Sequence, residues 1–335
     1  MRVALVIGVV AAAATIAGCG GDEGASGPIT VYSGREEELV APLFEQFTAA
    51  TGFEVEVRYG DSAELAATIA EEGDNSPADV FFAQDPGSLG AIDAQLEELP
   101  TDTLERVDPR YRDADGRWVG TSGRTRVLVY NTDSLTEGDL PDSVLELVDA
   151  TWRDRVGIAP TNGSFQAFVT AMRLTLGDDD TRAWLEGLRA NGAKTYEKNT
   201  PIVEAVATGE IQVGLVNHYY LALVKEEQPD APIANHLFEA GDPGALVSVA
   251  GAGVLQSTDQ REDAEAFVGF LLSEDAQRFY VEEAEEAEYP LVDGVEPAAG
   301  LTPLEEIEGP DVELTAFGAE LEATVELLRE TGWLT

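Results

Sequence analysis

The chain is poor in the residues that most often carry chemistry. Its 335 residues include one cysteine, two histidines and two methionines. A lone cysteine excludes an internal disulfide framework. Lysine occurs only at Lys194, Lys198 and Lys225, and the basic residues total 20 against 64 acidic ones, a formal charge of −44. Such a surface repels nucleic-acid phosphates and anionic lipid, which excludes a phosphate-backbone partner. Runs such as Glu71-Glu72 and Glu282-Glu283-Ala284-Glu285-Glu286 read as solvated helix faces, and a salt-adapted or generally acidic proteome would explain them without any function. No His-Glu-x-x-His, nucleophile elbow, nucleotide fingerprint or internal repeat occurs, which disfavours a secreted hydrolase.

What is present is enough apolar sequence, 44% of the chain, for two domains with real cores. The first apolar run, Val3 to Ala14 after Arg2, is too short to span a membrane as a mature helix. Ile16-Ala17-Gly18-Cys19 then resembles a bacterial lipobox, in which the cysteine becomes the lipid-modified first residue of the mature protein. Residues 1–19 are expected to be a lipoprotein signal peptide with Cys19 as the lipidation site. Residues 20–28, rich in Gly and Ser, read as a flexible tether. The alternative is an ordinary secretory signal with an incidental cysteine.

Beyond the tether the pattern is α/β. Short apolar strands at Ile29–Tyr32, Phe53–Tyr59 and Val80–Ala83 alternate with amphipathic helices over Arg35–Ala50 and Ala63–Glu72, the latter capped by Asp61 or Ser62. This β-α-β-α-β order predicts an open, largely parallel sheet, whose ligands sit at the carboxyl ends of the strands. Ser33 to Arg35 and Gln84-Asp85 occupy such ends. Further on, a strand over Arg124–Asn131, short helical sequence over Leu145–Trp152 and the turn Pro160-Thr161-Asn162-Gly163-Ser164 begin a second α/β unit. Strand-like Ala245–Leu255, helices over Asp263–Leu272 and Ala276–Glu286, a loop at Glu288–Leu291 and one last helix over Asp311–Thr331 complete the chain.

Two adjacent tyrosines organise the site reading. Tyr219 and Tyr220 follow the apolar, β-branched run Ile211–Val216, and the next stretch is helical in composition, which puts a helix cap near Asn217 or His218. Neighbours in a first helical turn are about 100° apart, so two phenol oxygens at such a junction can converge on one object. A free phenol has a pKa of about 10, and a hard, highly charged cation is the partner able to strip both protons near neutrality. Ferric iron fits that description. Taken alone, such a pair is more often core packing or a stacking surface than a metal site.

In order along the mature chain come Ile29-Thr-Val-Tyr-Ser-Gly34, Pro77-Ala-Asp-Val-Phe81, Ser122-Gly-Arg-Thr-Arg126, Lys198-Asn199, Asn217 with Tyr219-Tyr220, Asp242-Pro-Gly-Ala-Leu-Val-Ser248 and Ala287-Glu288-Tyr-Pro-Leu291. In this register the chain resembles the ferric-iron-binding periplasmic proteins of bacterial iron-uptake transporters, the transferrin-like class of solute-binding proteins. The resemblance implies a type II two-lobed periplasmic-binding-protein fold with two crossover hinge strands, closing on its ligand. Lobe 1 is expected at 29–127 plus 251–303 and lobe 2 at 128–250 plus 304–335. The strands at Val80–Phe82 and Arg126–Tyr130 are expected near the crossover.

The same resemblance implies iron(III) as cargo, held by Tyr219 and Tyr220 with a synergistic anion, phosphate or carbonate. The anion's neighbours match at Thr161, Asn162, Gly163, Ser164, Asn199 and Asn217, and a Gly-containing turn before a helix does offer backbone N–H groups. This chain departs from the family pattern at Glu36, where a histidine ligand is usual, and at Gln84, where a glutamate is. Glu36 is either a hard oxygen ligand or a surface charge favoured by the helix start. Arg35 can hold the anion with a fork of donors. Gln84, Arg124 and Arg126 are cleft-lining candidates, the arginines serving the anion or a charge partner near the hinge. His218 reads as a capping or exposed residue. The expected partners are a permease and an ATPase of the ABC class, and the membrane through the Cys19 anchor. The expected protein is a monomer outside the cytoplasm, lipid-anchored to the cell membrane, and not an enzyme. Gln84 and Glu36 also leave open the same fold binding a phosphate-containing organic solute, another small anion or a ferric chelate.

Overall fold

Ile29–Ser33 (β1), Val55–Tyr59 (β2) and Val80–Ala83 (β3) lie parallel in the order β2-β1-β3, as their α/β spacing requires. The computed structural model describes residues 27–282 and 287–334. The lipobox and most of the tether lie outside these residues. Glu37–Thr51 (α1) buries Leu43, Phe44 and Phe47 and ends where Gly52 turns left-handed at φ 82° and donates its N–H to the Thr48 carbonyl. Ser62–Glu72 (α2) starts under Asp61, whose Oδ1 accepts from the Ala63 and Glu64 N–H groups. Of the two cap candidates Asp61 therefore does the capping, and Ser62 instead accepts the Gln84 N–H at 3.0 Å. Pro86–Ala91 (α3) and Thr101–Leu104 (α4) follow.

Val119–Asn131 (β4) is the strand both halves share. All thirteen residues are buried. Its first part pairs antiparallel with Val247–Val254 (β9), from Val119↔Ala252 to Thr125↔Val247. Its second part pairs with Val213–Asn217 (β7) on one side and Ile233–His236 (β8) on the other. Val156–Ile158 (β5) and Lys194–Thr195 (β6) extend the second half, so the sheet runs β2-β1-β3-β9-β4-β7-β5-β6 with β8 against β4. β3 lies within the first half, between β1 and β9; the strands at the junction are β4 and β9.

The second half carries Gly163–Leu176 (α5), Asp178–Ala190 (α6), Asn199–Ala207 (α7) and Tyr220–Glu227 (α8). Arg261–Leu271 (α9) and Glu274–Glu282 (α10) cover the first, where the Phe47 ring meets Phe267 edge-on at 5.1 Å. The helix expected over Ala276–Glu286 is described only to Glu282. Phe317–Glu330 (α11) reaches both halves. Its Gly318 abuts Gly90 of α3 so closely that a Cβ would come within 2.4 Å of backbone, and Thr324 hydrogen-bonds Thr170 of α5.

Two helical expectations change. Leu145–Trp152 forms two 3-10 turns, Val144–Val148 and Ala150–Trp152, because Asp149 between them is extended. The last helix starts at Phe317 rather than Asp311, since Glu313 is extended and only a 3-10 turn at Leu314–Ala316 precedes it.

Candidate functional site

The tyrosine junction forms one residue later than the sequence pattern suggests. β7 ends at Asn217, Tyr219 occupies the cap position in helical geometry, and α8 begins at Tyr220. The two rings lie 4.4 Å apart, tilted at 34°. Tyr219 is buried and Tyr220 half-buried. Asn217 donates from Nδ2 to the Tyr219 hydroxyl at 3.4 Å.

Strand register brings a cation to this point. Arg126 of β4 faces Asn217 of β7. Its guanidinium donates to Asn217 Oδ1 at 3.3 Å, Ser164 Oγ at 3.4 Å and the Leu215 carbonyl at 2.9 Å, over the Phe165 and Phe168 rings. Burial pushes its pKa down to about 9, and the phenols of Tyr220 and Tyr219 pull it back up. Arg126 is still a cation at neutral pH, within electrostatic reach of both tyrosines.

The anion-turn residues gather beside it. Asn162 caps α5; its Oδ1 accepts from the Ser164 N–H at 3.1 Å, from the Ser164 hydroxyl, and from Asn199 Nδ2 at 3.3 Å. One side chain thereby pins the starts of α5 and α7 together. Gly163 points toward α3: a Cβ there would lie 3.8 Å from Asp85 Oδ2. Burial pushes the Asp85 carboxyl up, against the lowering effect of Ser88 hydrogen bonds and of Arg124. Thr161 is exposed, its hydroxyl donating to the Glu197 carbonyl at 3.4 Å.

The first-half residues meet in a separate ion cluster. Both Nη atoms of Arg35 donate to Glu288, at 3.0 and 3.1 Å, and Arg124 Nη2 reaches the same carboxylate at 2.9 Å. Arg124 Nη1 donates to the Gln84 carbonyl at 3.0 Å, which fixes that strand end. Burial would push the Glu288 carboxyl up, but the charges of Arg124 and Arg35 outweigh it and hold it at about 2. The Arg35 fork, expected at an anion, is thus engaged by a residue of the chain itself. The sequence marks Glu288 only as part of the loop at Glu288–Leu291 and of the Ala287–Leu291 motif. A buried carboxylate between two arginines distant in sequence leaves no local signal.

Glu36 does not join the tyrosines. It is exposed at the start of α1, with its carboxylate 4.0 Å from the exposed Lys198 ammonium. Among the described residues no group of three His, Cys, Asp or Glu side chains is placed to hold a metal ion. His218, expected as capping or exposed, is buried. Its Nδ1 accepts the Thr125 N–H at 3.3 Å and its Nε2 pairs with the Ala287 carbonyl at 3.1 Å. Burial lowers its pKa to about 4, so the neutral imidazole bridges these two groups.

Comparisons with known proteins agree with this architecture. Residues 75–305 match the family model described as bacterial extracellular solute-binding protein. The chain is 37% identical over 310 residues to the major ferric iron-binding protein of Neisseria meningitidis serogroup B, covering 91% of this chain and 92% of that protein. Iron-bound HitA from Pseudomonas aeruginosa superposes with a TM-score of 0.86 at 35% identity, over 92% of this chain and all (100%) of that one. The Trichodesmium protein solved with iron and citrate superposes at 0.81 with 29% identity, over the same 92% and 100%.

Proposed function

Because the chain belongs to the bacterial extracellular solute-binding proteins, among the periplasmic ferric iron-binding proteins, we propose that it binds iron(III) between its two halves together with a synergistic anion. The observation that carries this reading is the Tyr219–Tyr220 pair, with ring centroids 4.4 Å apart at a strand–helix junction beside the buried Arg126. Two phenolates are hard, anionic oxygen donors suited to a trivalent ion. The anion, phosphate or carbonate, would take donors from the Asn162–Ser164 turn, Asn199, Asn217 and Arg126. Thr161 stands at the exposed edge of that turn, and Arg35, Gln84 and Arg124 line the facing wall. Glu36 would ligate only by turning inward from Lys198.

The halves correspond to lobes at 29–127 plus 251–303 and 128–250 plus 304–335, with closure bending β4 and β9. Closure excludes water and strengthens every charge interaction in the site. Delivery runs to a permease driven by an ATPase, from a monomer tethered by residues 20–28 and anchored through lipid on Cys19. No helix among the described residues is long and apolar enough to cross a membrane.

The test is a titration of the iron-stripped protein with ferric citrate, with carbonate or phosphate present. A saturable visible band from tyrosinate-to-iron charge transfer is expected in the wild type and its loss in Tyr219→Phe/Tyr220→Phe. A wild type that stays colourless and gains no thermal stability from iron would overturn the reading and favour a phosphate-containing organic solute or another anion.

A further inference from the structure

We propose that Lys198 is the residue that first captures an anionic carboxylate complex of iron(III), and that Glu36 occupies it until the complex arrives. This rests on the iron-binding reading above. The chain carries a formal charge of −44, so its field repels anions from most of its surface, and a local cation decides where one can land. Arg35, Arg124 and Arg126, the arginines among the site candidates, are each 2% exposed or less and cannot meet a solute first. Lys198 stands in the solvent beside the same residues.

Two hydrogen bonds fix its backbone next to the anion turn. The residue before it, Glu197, accepts the Thr161 hydroxyl at its carbonyl at 3.4 Å, and the residue after it, Asn199, donates to Asn162 Oδ1 at 3.3 Å. Lys198 itself is extended, at φ −138° and ψ 171°, in the cap position of α7. Its side chain reaches from the second half to the first, where the Glu36 carboxylate lies 4.0 Å from the ammonium. Glu36 stands at the start of α1 without capping it. The two side chains are 73% and 62% exposed, and an ion pair of that kind is weak and screened by salt. A carboxylate of the incoming complex can therefore replace the Glu36 carboxylate, like for like. The exchange leaves the anion beside the Asn162–Ser164 turn, whose donors then receive it.

The test follows the growth of the visible band after the full, iron-stripped chain is mixed with ferric citrate, at low and at high salt. The association rate is taken from its dependence on ferric citrate concentration. Wild type is compared with Lys198→Gln, Lys194→Gln and Lys225→Gln. Each variant removes one positive charge, so an effect of net charge alone would be the same in all three. Lys198→Gln is expected to slow association by roughly threefold to tenfold at low salt, a gap that closes at high salt, and the other two to stay within about twofold of wild type. Glu36→Gln is expected to speed association at low salt, and by a smaller factor in the Lys198→Gln background, because its competition acts through that lysine. A Lys198→Gln rate equal to that of wild type or of the other lysine variants would overturn the proposal, as would a deficit that salt does not reduce. Equal acceleration by Glu36→Gln in both backgrounds would overturn the role given to Glu36. A wild type without a band would remove the iron reading and this inference with it. A wild type with the band and a Lys198→Gln variant of unchanged rate would remove the inference alone.

Discussion

Around the Arg126 guanidinium of the second half, Tyr219, Asn162, Ser164 and Asn199 form a wall of hydroxyl and amide groups from helix starts. In the first half, Arg35, Arg124 and Glu288 form a dry wall of full charges, each 2% exposed or less. A wall of neutral groups loses one hydrogen bond at a time. A wall of buried ions is all or none, since each charge is tolerable only while its partner stays. The first can adapt locally; the second is rigid.

The sharpest way to break this comparison is Glu288→Ala. Two buried guanidinium groups lose their carboxylate, and the unfolding free energy in urea is expected to fall by about 3–5 kcal/mol. Unchanged stability would mean that the cluster is not the rigid wall. The same group has a pH signature. Its folded pKa of about 2 lies below the ordinary 4.5, so the unfolded chain takes up a proton that the folded chain refuses. Its stabilisation is complete above about pH 4.5 and is lost as pH falls toward 2. Acid titrations followed by circular dichroism should show a shallower loss of stability over that window in Glu288→Gln than in wild type.

The neutral wall should respond less. Asn162→Ala removes the cap of α5 and the tie to α7, with an expected cost of about 1 kcal/mol in the same urea experiment. Gly163→Ala should matter least. The residue is not among the left-handed glycines, and its new Cβ would meet only Asp85 Oδ2 at an ordinary 3.8 Å. A change within about 0.5 kcal/mol is expected; a larger one would show that the turn itself needs glycine.

The same contrast separates what is legible in the sequence from what is not. Local chemistry is legible in the sequence: the strand–helix alternation, a cap at Asp61 or Ser62 and the strand before Tyr219 all rest on neighbours in sequence. The wall built from helix starts belongs to that class. Arg35 and Glu288 are 253 positions apart, and nothing near either one announces the other. Arg35 consequently read as an open anion fork and Glu288 as a loop residue. His218 shows the same limit: a histidine after a strand looks like a cap until the Ala287 carbonyl, brought in by the far end of the chain, supplies its partner.

The shared strand has a further consequence for how the protein is made. β3 pairs with β1 early in the chain, but its other edge is covered by β9, and the first part of β4 also waits for β9. While the polypeptide emerges from its N-terminus, the first half therefore presents unpaired strand edges until Val247–Val254 arrives, and Gly123 waits longer still for Tyr289. Such a topology assembles late and slowly. Until that last closure, the many like charges along the chain keep those waiting edges from pairing with one another.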